Sequence, residues 1–276
     1  MKITINNTLP YAYFPYLNIS TRHPSNGGMR TLLERQLPIY LGTLKSAAVK
    51  NLDYLVIASD LQGNIEEDGW YRLMGEVLPD FLQTLFAEQL GVADCQRVGV
   101  LLCGDMYATI EKRGGLGDVR PVWRAFNRVF KFVAGVAGNH DSFGGNKTDL
   151  FAFNREEGIH FLDRQMVELD GLKIGGLSGI IGNPRKQFRY EEEQHMADLK
   201  RLLTKRPDIV LLHEGPNGDE PNERGNELIR ATLATSSSTT VCFGHTFWHR
   251  LAAEMSNGTQ LINLDEKCLL LKIEKE

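Results

Sequence analysis

Apolar and polar positions alternate along the chain in a pattern that predicts strands and helices in turn. Short apolar runs, typical of buried strands, occur at 54–58, 98–103, 132–136, 209–212 and 240–243, with two shorter ones at 260–263 and 269–273. Helical spacing predicts helices over 30–48, 69–90, 121–130, 190–204 and 226–235. Pro38 is expected to kink or break the first of these, and Asp170-Gly171 predicts a two-residue hairpin.

Strands that alternate with helices indicate an α/β fold in which successive strand ends lie on one edge of a sheet. Five of the predicted strands end in polar turns. The residues at these ends are Asp60, Asp105, Asn139-His140-Asp141, His213 and His245. Because loops at strand ends often carry the chemistry of such folds, we expect the five turns to converge.

The converging groups are oxygens and imidazoles without thiolate, a ligand set that suits Mn²⁺, Fe, Zn²⁺ or Mg²⁺. Two such ions about 3.5–4 Å apart, bridged by a shared carboxylate, are a known device for displacement at phosphorus. For any one histidine alone, a hydrogen-bonded core or surface role would be the more common one. The argument for a metal site therefore depends on the five turns acting together.

The composition is that of an ordinary globular protein, with 276 residues, 42% hydrophobic and 24% charged. A net charge of −4 gives no strong signal for nucleic-acid binding. The cysteines, Cys95, Cys103, Cys242 and Cys268, form no CxxC pair. We expect reduced thiols and a cytoplasmic location. No apolar run is long enough to predict a membrane span.

The chain contains no low-complexity linker or internal repeat that would divide it. We therefore predict a main domain over residues 51–276. Residues 1–50 are expected to form an N-terminal extension packed on that domain, with residues 1 to about 28 as an extended arm. The sequence does not indicate an oligomeric state.

The polar turns resemble the motifs of the calcineurin-like metallophosphoesterases and follow that family's order. The matching segments are Asp60-Leu61-Gln62-Gly63-Asn64, Gly104-Asp105, Gly138-Asn139-His140-Asp141, His213 and Gly244-His245-Thr246-Phe247. The resemblance extends from about residue 54 to the end of the sequence. It implies a four-layer α/β/β/α sandwich of two mixed sheets flanked by helices. It also implies a phosphodiesterase or phosphatase that uses metal-activated water on a phosphorylated small molecule or nucleotide.

The same resemblance implies a role for each of these residues. Asp105 would bridge two divalent ions, and Asp60 would bind one of them. The other ion would be held by Asn139, His213 and His245. The catalytic pair would be His140 and Asp141, with His140 stabilising charge on phosphorus or protonating the leaving oxygen and Asp141 orienting its ring.

Two positions depart from the family's pattern, and both affect the ion held by Asp60. Gln62 and Phe247 stand where the family has histidines, so this site keeps Asp60, Asp105 and Gln62 as a possible weak ligand. Oxygen ligands alone suit a weakly held Mg²⁺, Mn²⁺ or Ca²⁺, or no ion. His249 could substitute only if the chain bends. The favoured expectation is that Phe247 and Trp248 form a wall of the site.

Two functions follow from this pattern. One is a phosphoester hydrolase with a complete metal site and a weakened one, holding one or two ions per chain. The other is a catalytically impaired scaffold that keeps the fold for binding. Four basic residues in predicted loops, Arg113, Arg185, Lys186 and Arg189, could meet a phosphate, although solvated surface charge is the more common role.

Overall fold

The computed structural model describes residues 1–19, 31–112 and 114–275. The helices in this part of the chain are α1 (Met74–Gln89), α2 (Arg120–Val129), α3 (Lys147–Phe153), α4 (Glu192–Thr204) and α5 (Glu227–Ala234). The strands of its first half are β1 (Lys2–Ile5), β2 (Ala12–Ile19), β3 (Leu32–Lys45), β4 (Tyr54–Ser59), β5 (Asn64–Glu67), β6 (Trp70–Leu73), β7 (Val98–Leu102), β8 (Gly117–Asp118), β9 (Phe132–Gly135) and β10 (Asp141–Ser142). The strands of its second half are β11 (Ile159–Phe161), β12 (Gln165–Leu169), β13 (Leu172–Leu177), β14 (Ile180–Ile181), β15 (Arg189–Tyr190), β16 (Ile209–Glu214), β17 (Thr240–Gly244), β18 (Ala252–Glu254), β19 (Gln260–Asn263) and β20 (Lys267–Glu274).

Two mixed sheets carry the fold. The larger has ten strands in the order β11-β9-β7-β4-β20-β3-β2-β5-β6, with β1 paired to β3. The smaller has six strands in the order β12-β13-β16-β17-β19-β18. In the larger sheet β4, β7, β9 and β11 run parallel, and in the smaller sheet β13, β16, β17 and β19 do so. Parallel neighbours bring their polar ends to one edge, as the sequence predicts.

The buried side chains divide into three apolar layers, which define the stacking of sheets and helices. Along β4, Val56 faces a core shared with α1 and α2, whereas Leu55 and Ile57 face a core shared with the smaller sheet. Along β16, Leu211 faces the inter-sheet core and Val210 faces α4 and α5. Strands buried on both faces read as continuous apolar runs. The four-layer α/β/β/α sandwich is therefore confirmed.

The helix predicted over 30–48 is wrong, because this segment forms the long strand β3. Leu37, Ile39 and Leu44 are fully buried, and the strand pairs with β2 on one side and β20 on the other. Sheet pairing overrides the local helical spacing here. Pro38 is tolerated because β20 pairs with β3 only from Ile39 onward, so no ladder bond from β20 is lost there.

Other predicted elements agree with the structure more closely. The hairpin at Asp170-Gly171 joins β12 to β13, and both of its turn residues have positive φ, 48° and 87°. The segment predicted as one helix over 69–90 begins instead with β6 and becomes helical at Met74. Residues 2–19 and 32–45 supply β1, β2 and β3 to the larger sheet. The predicted extended arm also includes residues 20–28, which lie outside the described part.

The four cysteines are free and buried, in agreement with the expected reduced thiols. In the described ranges, no helix combines the length and the apolar character that crossing a membrane requires.

Because His195 on α4 is buried, we expect the folded protein to lose a measurable amount of stability in acid. Its ring is 2% exposed and stacks on Tyr190, and burial lowers its pKa to about 4 despite the nearby charges of Asp163 and Asp198. Between pH 6.5 and 4 the unfolded state binds a proton that the folded state excludes, so stability falls as the pH falls. The full difference is about 3 kcal/mol.

Denaturant unfolding of His195→Leu at several pH values tests this link. The variant should show a flatter loss of stability between pH 6.5 and 4 than the wild type. The exposed His249 offers a matched control, and His249→Leu should retain the wild-type slope. Parallel pH profiles for wild type and His195→Leu would contradict the assignment.

Candidate metal centre

The polar ends of β4, β7, β9, β16 and β17 meet at one edge between the two sheets, where hydrogen bonds from backbone and side-chain groups connect the turns. The amide of Asp60 donates to Gly104 O at 2.9 Å, and the amide of His245 donates to Asp60 Oδ2 at 3.0 Å. His213 Nδ1 lies 2.9 Å from Cys103 O. The smaller sheet is thereby tied to the larger one at the site, and the predicted convergence of these turns is observed.

Three of the predicted ligand residues form one cluster. Asp105, His213 and His245 each place a ligand atom within 4.8 Å of the others. Because His213 Nδ1 faces a backbone carbonyl, Nε2 is the nitrogen directed at the centre, 3.3 Å from Asp105 Oδ2. A backbone partner of this kind fixes the orientation of a ligating imidazole.

Two buried polar atoms at these strand ends make no hydrogen bond within the described residues. Asn139 Oδ1 has no partner, and His213 Nε2 has only its ion-pair contact with Asp105 Oδ2, at 3.3 Å. An unpaired buried polar atom costs about 1–3 kcal/mol, so native proteins normally satisfy such groups. A divalent ion would satisfy both, and a carboxylate, an amide oxygen and two imidazoles are chemically suited to one. The residues present therefore fit a metal ion.

The electrostatics of the cluster follow from one buried ion pair. Burial opposes charge on both partners, but Asp105 and Asp60 raise the pKa of His213 to about 10. Burial likewise opposes ionisation of Asp105, and the charges of His213 and His140 outweigh it, holding its pKa below the usual range. Burial and the charge of His213 lower the pKa of His245 to about 4. A cation at this position would therefore compete with the proton on His213.

The backbone at the centre is unusual in three of the turns. Asp60, Asp105 and His245 all have positive φ, at 54°, 55° and 67°. Non-glycine residues rarely adopt this region, which costs of order 1 kcal/mol or more for each, and such residues concentrate at functional sites. The hydrogen bonds that join the turns hold this conformation in place.

Asp141 does not orient the ring of His140, so that prediction is wrong. Its carboxylate is fully buried. It accepts hydrogen bonds from the amides of Asp105 and Gly138, both at 2.8 Å, and from that of Met106 at 2.7 Å. Burial and the charge of Asp105 raise the pKa of Asp141 to about 6, although the amide bonds oppose this shift. The carboxylate of Asp141 thus links the turn after β7 to the turn after β9 through hydrogen bonds.

The ring of His140 is held by a backbone carbonyl from the segment just before β8. Nδ1 lies 3.0 Å from Gly115 O, and the amide of His140 donates to Asp105 Oδ1 at 2.8 Å. Nε2 lies 4.0 Å from Asp105 Oδ2, and the side chain is 25% exposed. His140 can therefore reach a molecule bound from solvent beside the ligand cluster. Its catalytic role stays a prediction.

Around Asp60, hydrogen-bond donors face the carboxylates of Asp60 and Asp105. Ser59 Oγ donates to Asp60 Oδ2 at 2.7 Å, and Gln62 Nε2 donates to Asp105 Oδ2 at 3.2 Å. In this arrangement Gln62 contributes a donor rather than a ligand oxygen, and Asp60 is not part of the cluster of ligand atoms. The predicted ligand roles of Asp60 and Gln62 stay predictions.

Phe247, at 50% exposed, lies at this side of the site, with its ring centroid 4.4 Å from Lys267 Nζ. The expectation that Trp248 forms a wall of the site is wrong. Trp248 is fully buried and packs on Phe243 in the apolar layer between the smaller sheet and the helices α4 and α5. Its indole N–H donates to Arg224 O. His249 is exposed.

Sequence reasoning missed three contributors to this edge. Asp265 and Lys267 lie just after β19 and at the start of β20. Asn18 of β2 donates to Gln62 O at 3.1 Å. The signal available for the first two was the same as for the other motifs, a polar Asp-Glu-Lys turn directly after an apolar run. Of the four basic residues that could meet a phosphate, Arg189 has a positive charge that helps to lower the pKa of His245. Arg113 lies outside the described residues.

A four-layer sandwich with carboxylate, amide and imidazole groups at its strand ends defines a metallophosphoesterase-type protein. The family model described as calcineurin-like phosphoesterase matches residues 54–248. The chain belongs to this family.

A solved structure of low sequence identity supports the fold assignment. TT1561 of Thermus thermophilus is similar with a TM-score of 0.52 and 16% identity, over 78% of this chain and 90% of that one. The protein of unknown function AQ665 from Aquifex aeolicus has a TM-score of 0.34 and 11% identity, over 79% of this chain and 95% of that one. None of the curated proteins compared with the chain matches it.

Gly138 sets how closely the turns after β7 and β9 approach. A Cβ atom built at Gly138 would lie 2.0 Å from Asp105 Oδ1 and 2.4 Å from the Asp105 amide nitrogen. Gly138→Ala should therefore displace Asp105 and weaken metal binding at least about tenfold, which corresponds to about 1.4 kcal/mol. Metal titration by calorimetry, with circular dichroism to check folding, measures the effect. At Gly145 the Cβ would meet nothing closer than 3.9 Å, so Gly145→Ala is the control. A folded Gly138→Ala protein with wild-type metal affinity would contradict this geometry.

Proposed function

We propose that the protein is a metal-dependent hydrolase of phosphoester bonds, a phosphodiesterase or phosphatase, with one complete metal site. Asp105, Asn139, His213 and His245 would hold the ion. The single observation that carries the proposal is a pair of buried atoms that make no hydrogen bond, Asn139 Oδ1 and His213 Nε2, the second of which faces the carboxylate of Asp105. Their position at the ends of strands in a family of phosphoesterases supports the same assignment.

A divalent ion bound at this centre supplies Lewis acidity toward a phosphoryl oxygen and lowers the pKa of water. The chain's own residues provide the arrangement around it. Asp105 is fixed by the amide of His140, and His213 by the carbonyl of Cys103. His140 presents Nε2 near the ligand cluster. There it would hold or deliver a proton at the leaving oxygen, or stabilise charge that develops on phosphorus.

The substrate class is inferred to be a phosphorylated small molecule or nucleotide. A small cleft beside Gln62 is lined by Asn18, Tyr107 and Lys112, among other residues. An aromatic ring, an amide and an ammonium group could together contact the non-phosphate part and one phosphate oxygen of a compact substrate. The cytoplasmic location, the absence of membrane or nucleic-acid partners and the identity of the ion as Mn²⁺, Fe, Zn²⁺ or Mg²⁺ stay predictions.

Hydrolysis of bis(p-nitrophenyl) phosphate and p-nitrophenyl phosphate tests the activity and separates diester from monoester preference. We expect turnover that needs a divalent ion, is lost with a chelator and returns on adding metal. Asp105→Ala should abolish it, because the variant removes the central carboxylate. Asp80 pairs with Arg128 between α1 and α2 and is largely exposed, so Asp80→Ala serves as the control with unchanged turnover.

The alternative, an impaired scaffold, is motivated by Gln62 and Phe247 in place of two metal-binding histidines. Under that alternative no divalent ion would support hydrolysis of either ester. That outcome in a folded wild-type protein would overturn the proposed activity.

His140 should affect chemistry more than metal binding. Loss of a general acid or base typically lowers kcat about 10²–10⁴-fold, so we expect His140→Gln to lose activity in that range while retaining its metal content. Steady-state kinetics and elemental analysis of the same preparation measure both. His160 lies on the edge strand β11, and His160→Gln should behave as wild type. Wild-type kcat in His140→Gln would exclude His140 from the reaction.

A further inference from the structure

Lys267 is a buried lysine on the Asp60 side of the candidate metal centre, where Gln62 and Phe247 replace two histidines of the family pattern. It is 2% exposed and begins β20, where it pairs directly with Ser59, the residue before Asp60. Its ammonium donates to Asn263 Oδ1 and to Asp265 O, both at 3.0 Å. The ring of Phe247 also lies beside it, with its centroid 4.4 Å from Nζ.

The direct partners of this ammonium are neutral, and no ion pair within 4.0 Å involves Lys267 in the described part of the chain. Burying a charge without compensation costs several kcal/mol. The compensation must come from the carboxylates nearby. Burial lowers the pKa of Lys267 to about 8, and Asp265, Asp60 and Glu266 act against this shift.

Asp60 and Asp265 in turn need a positive neighbour. Asp60 is 5% exposed and accepts hydrogen bonds from Ser59 Oγ and from the amide of His245. Asp265 is half-buried and lies two residues before Lys267, whose ammonium donates to the Asp265 carbonyl oxygen. Two adjacent buried carboxyl groups repel each other once ionised, and Lys267 supplies a nearby opposing charge.

The position of Lys267 coincides with the two departures from the family pattern. Phe247, which occupies the place of a histidine, supports the ammonium with its ring face, a favourable cation–π arrangement. Gln62, in the place of the other, turns a donor toward Asp105. On this side the Lys267 ammonium provides positive charge and the Gln62 amide provides a hydrogen-bond donor. Together they offset the carboxylates, which a bound cation would otherwise do.

We propose that the Lys267 ammonium is a fixed internal cation that takes the electrostatic role of a second metal ion on the side of Asp60, so the chain binds one ion, at Asp105, Asn139, His213 and His245. This inference rests on the proposed function for the presence of that one ion. It assigns Lys267 as a positioning residue of the site, acting through Asp60 and Asp265.

Metal content tests the inference independently of activity. Wild type, Lys267→Ala and Lys267→Arg are equilibrated with excess Mn²⁺, and bound metal is measured by elemental analysis and calorimetry. We expect about one ion per chain in wild type and Lys267→Arg. We expect about two in Lys267→Ala, since that variant frees both space and carboxylate charge. Lys272 lies on the same strand and is exposed, so Lys272→Ala should stay at about one.

A second pair of variants identifies the residues that hold each ion. Asp60→Asn in the otherwise wild-type chain should keep about one ion, because that ion does not depend on Asp60. Asp60→Asn combined with Lys267→Ala should fall from about two ions back to about one. If Lys267→Ala fails to fold, Lys267→Met replaces it, because that variant removes the charge and keeps most of the side-chain volume: about two ions support the inference, and one ion with unchanged affinity overturns it.

The failures are distinguishable. A wild-type chain that binds no divalent ion overturns the proposed function and this inference with it. Two ions in the wild type, or one ion in folded Lys267→Ala with unchanged affinity, overturn only the role of Lys267.

Discussion

Three backbone N–H groups converge on the buried carboxylate of Asp141, and the geometry of the centre depends on them. They come from Asp105, Met106 and Gly138, so one side chain fixes the turn after β7 against the turn after β9. Charge-assisted bonds to a buried carboxylate are among the stronger hydrogen bonds in proteins. These hydrogen bonds hold Asp105 in a left-handed backbone conformation. In that conformation its own carboxylate lies against His213 and the amide of His140.

The two sides of the centre solve the same electrostatic problem differently. On the side of His213 and His245, buried polar atoms make no hydrogen bond and suit an added cation. On the side of Asp60, donors from Ser59, the amide of His245 and, toward Asp105, Gln62 already face the carboxylates. A buried carboxylate needs a positive or donor group nearby, and it matters little to its stability whether that group is an ion or part of the chain. The asymmetry of the site follows from this difference.

Much of the fold could be predicted from the sequence because its strands are buried on both faces and stand out as apolar runs. The positions of Asp105, His213 and His245 followed from the same runs, since each lies where a strand ends. The segment 30–48 could not be predicted in this way. Its strand is specified by pairing with β2 and β20, which are distant in sequence, and local spacing does not record such contacts.

The roles within the site were harder to predict than its location. The sequence placed Asp141 beside His140, but adjacency does not show that its oxygens turn toward three amides instead. Lys267 escaped notice because a single lysine after a strand is normally exposed. Only the pairing of β20 with β4 shows that it lies beside Asp60. Side-chain direction, rather than residue type, is the information that the sequence lacks here.

The placement of β20 between β3 and β4 has a consequence for how the chain reaches this structure. In the larger sheet, β4, which Asp60 follows, is joined to β3 through β20, a strand near residue 270. The larger sheet therefore cannot close until contacts form between residues far apart in sequence, and such long-range pairing slows folding. Until β20 arrives, the facing edges of β3 and β4 lack a partner and can pair with other chains. The surroundings of Asp60 are therefore complete only once β20 has paired, because the strand that completes the sheet also brings Lys267 to this side of the centre.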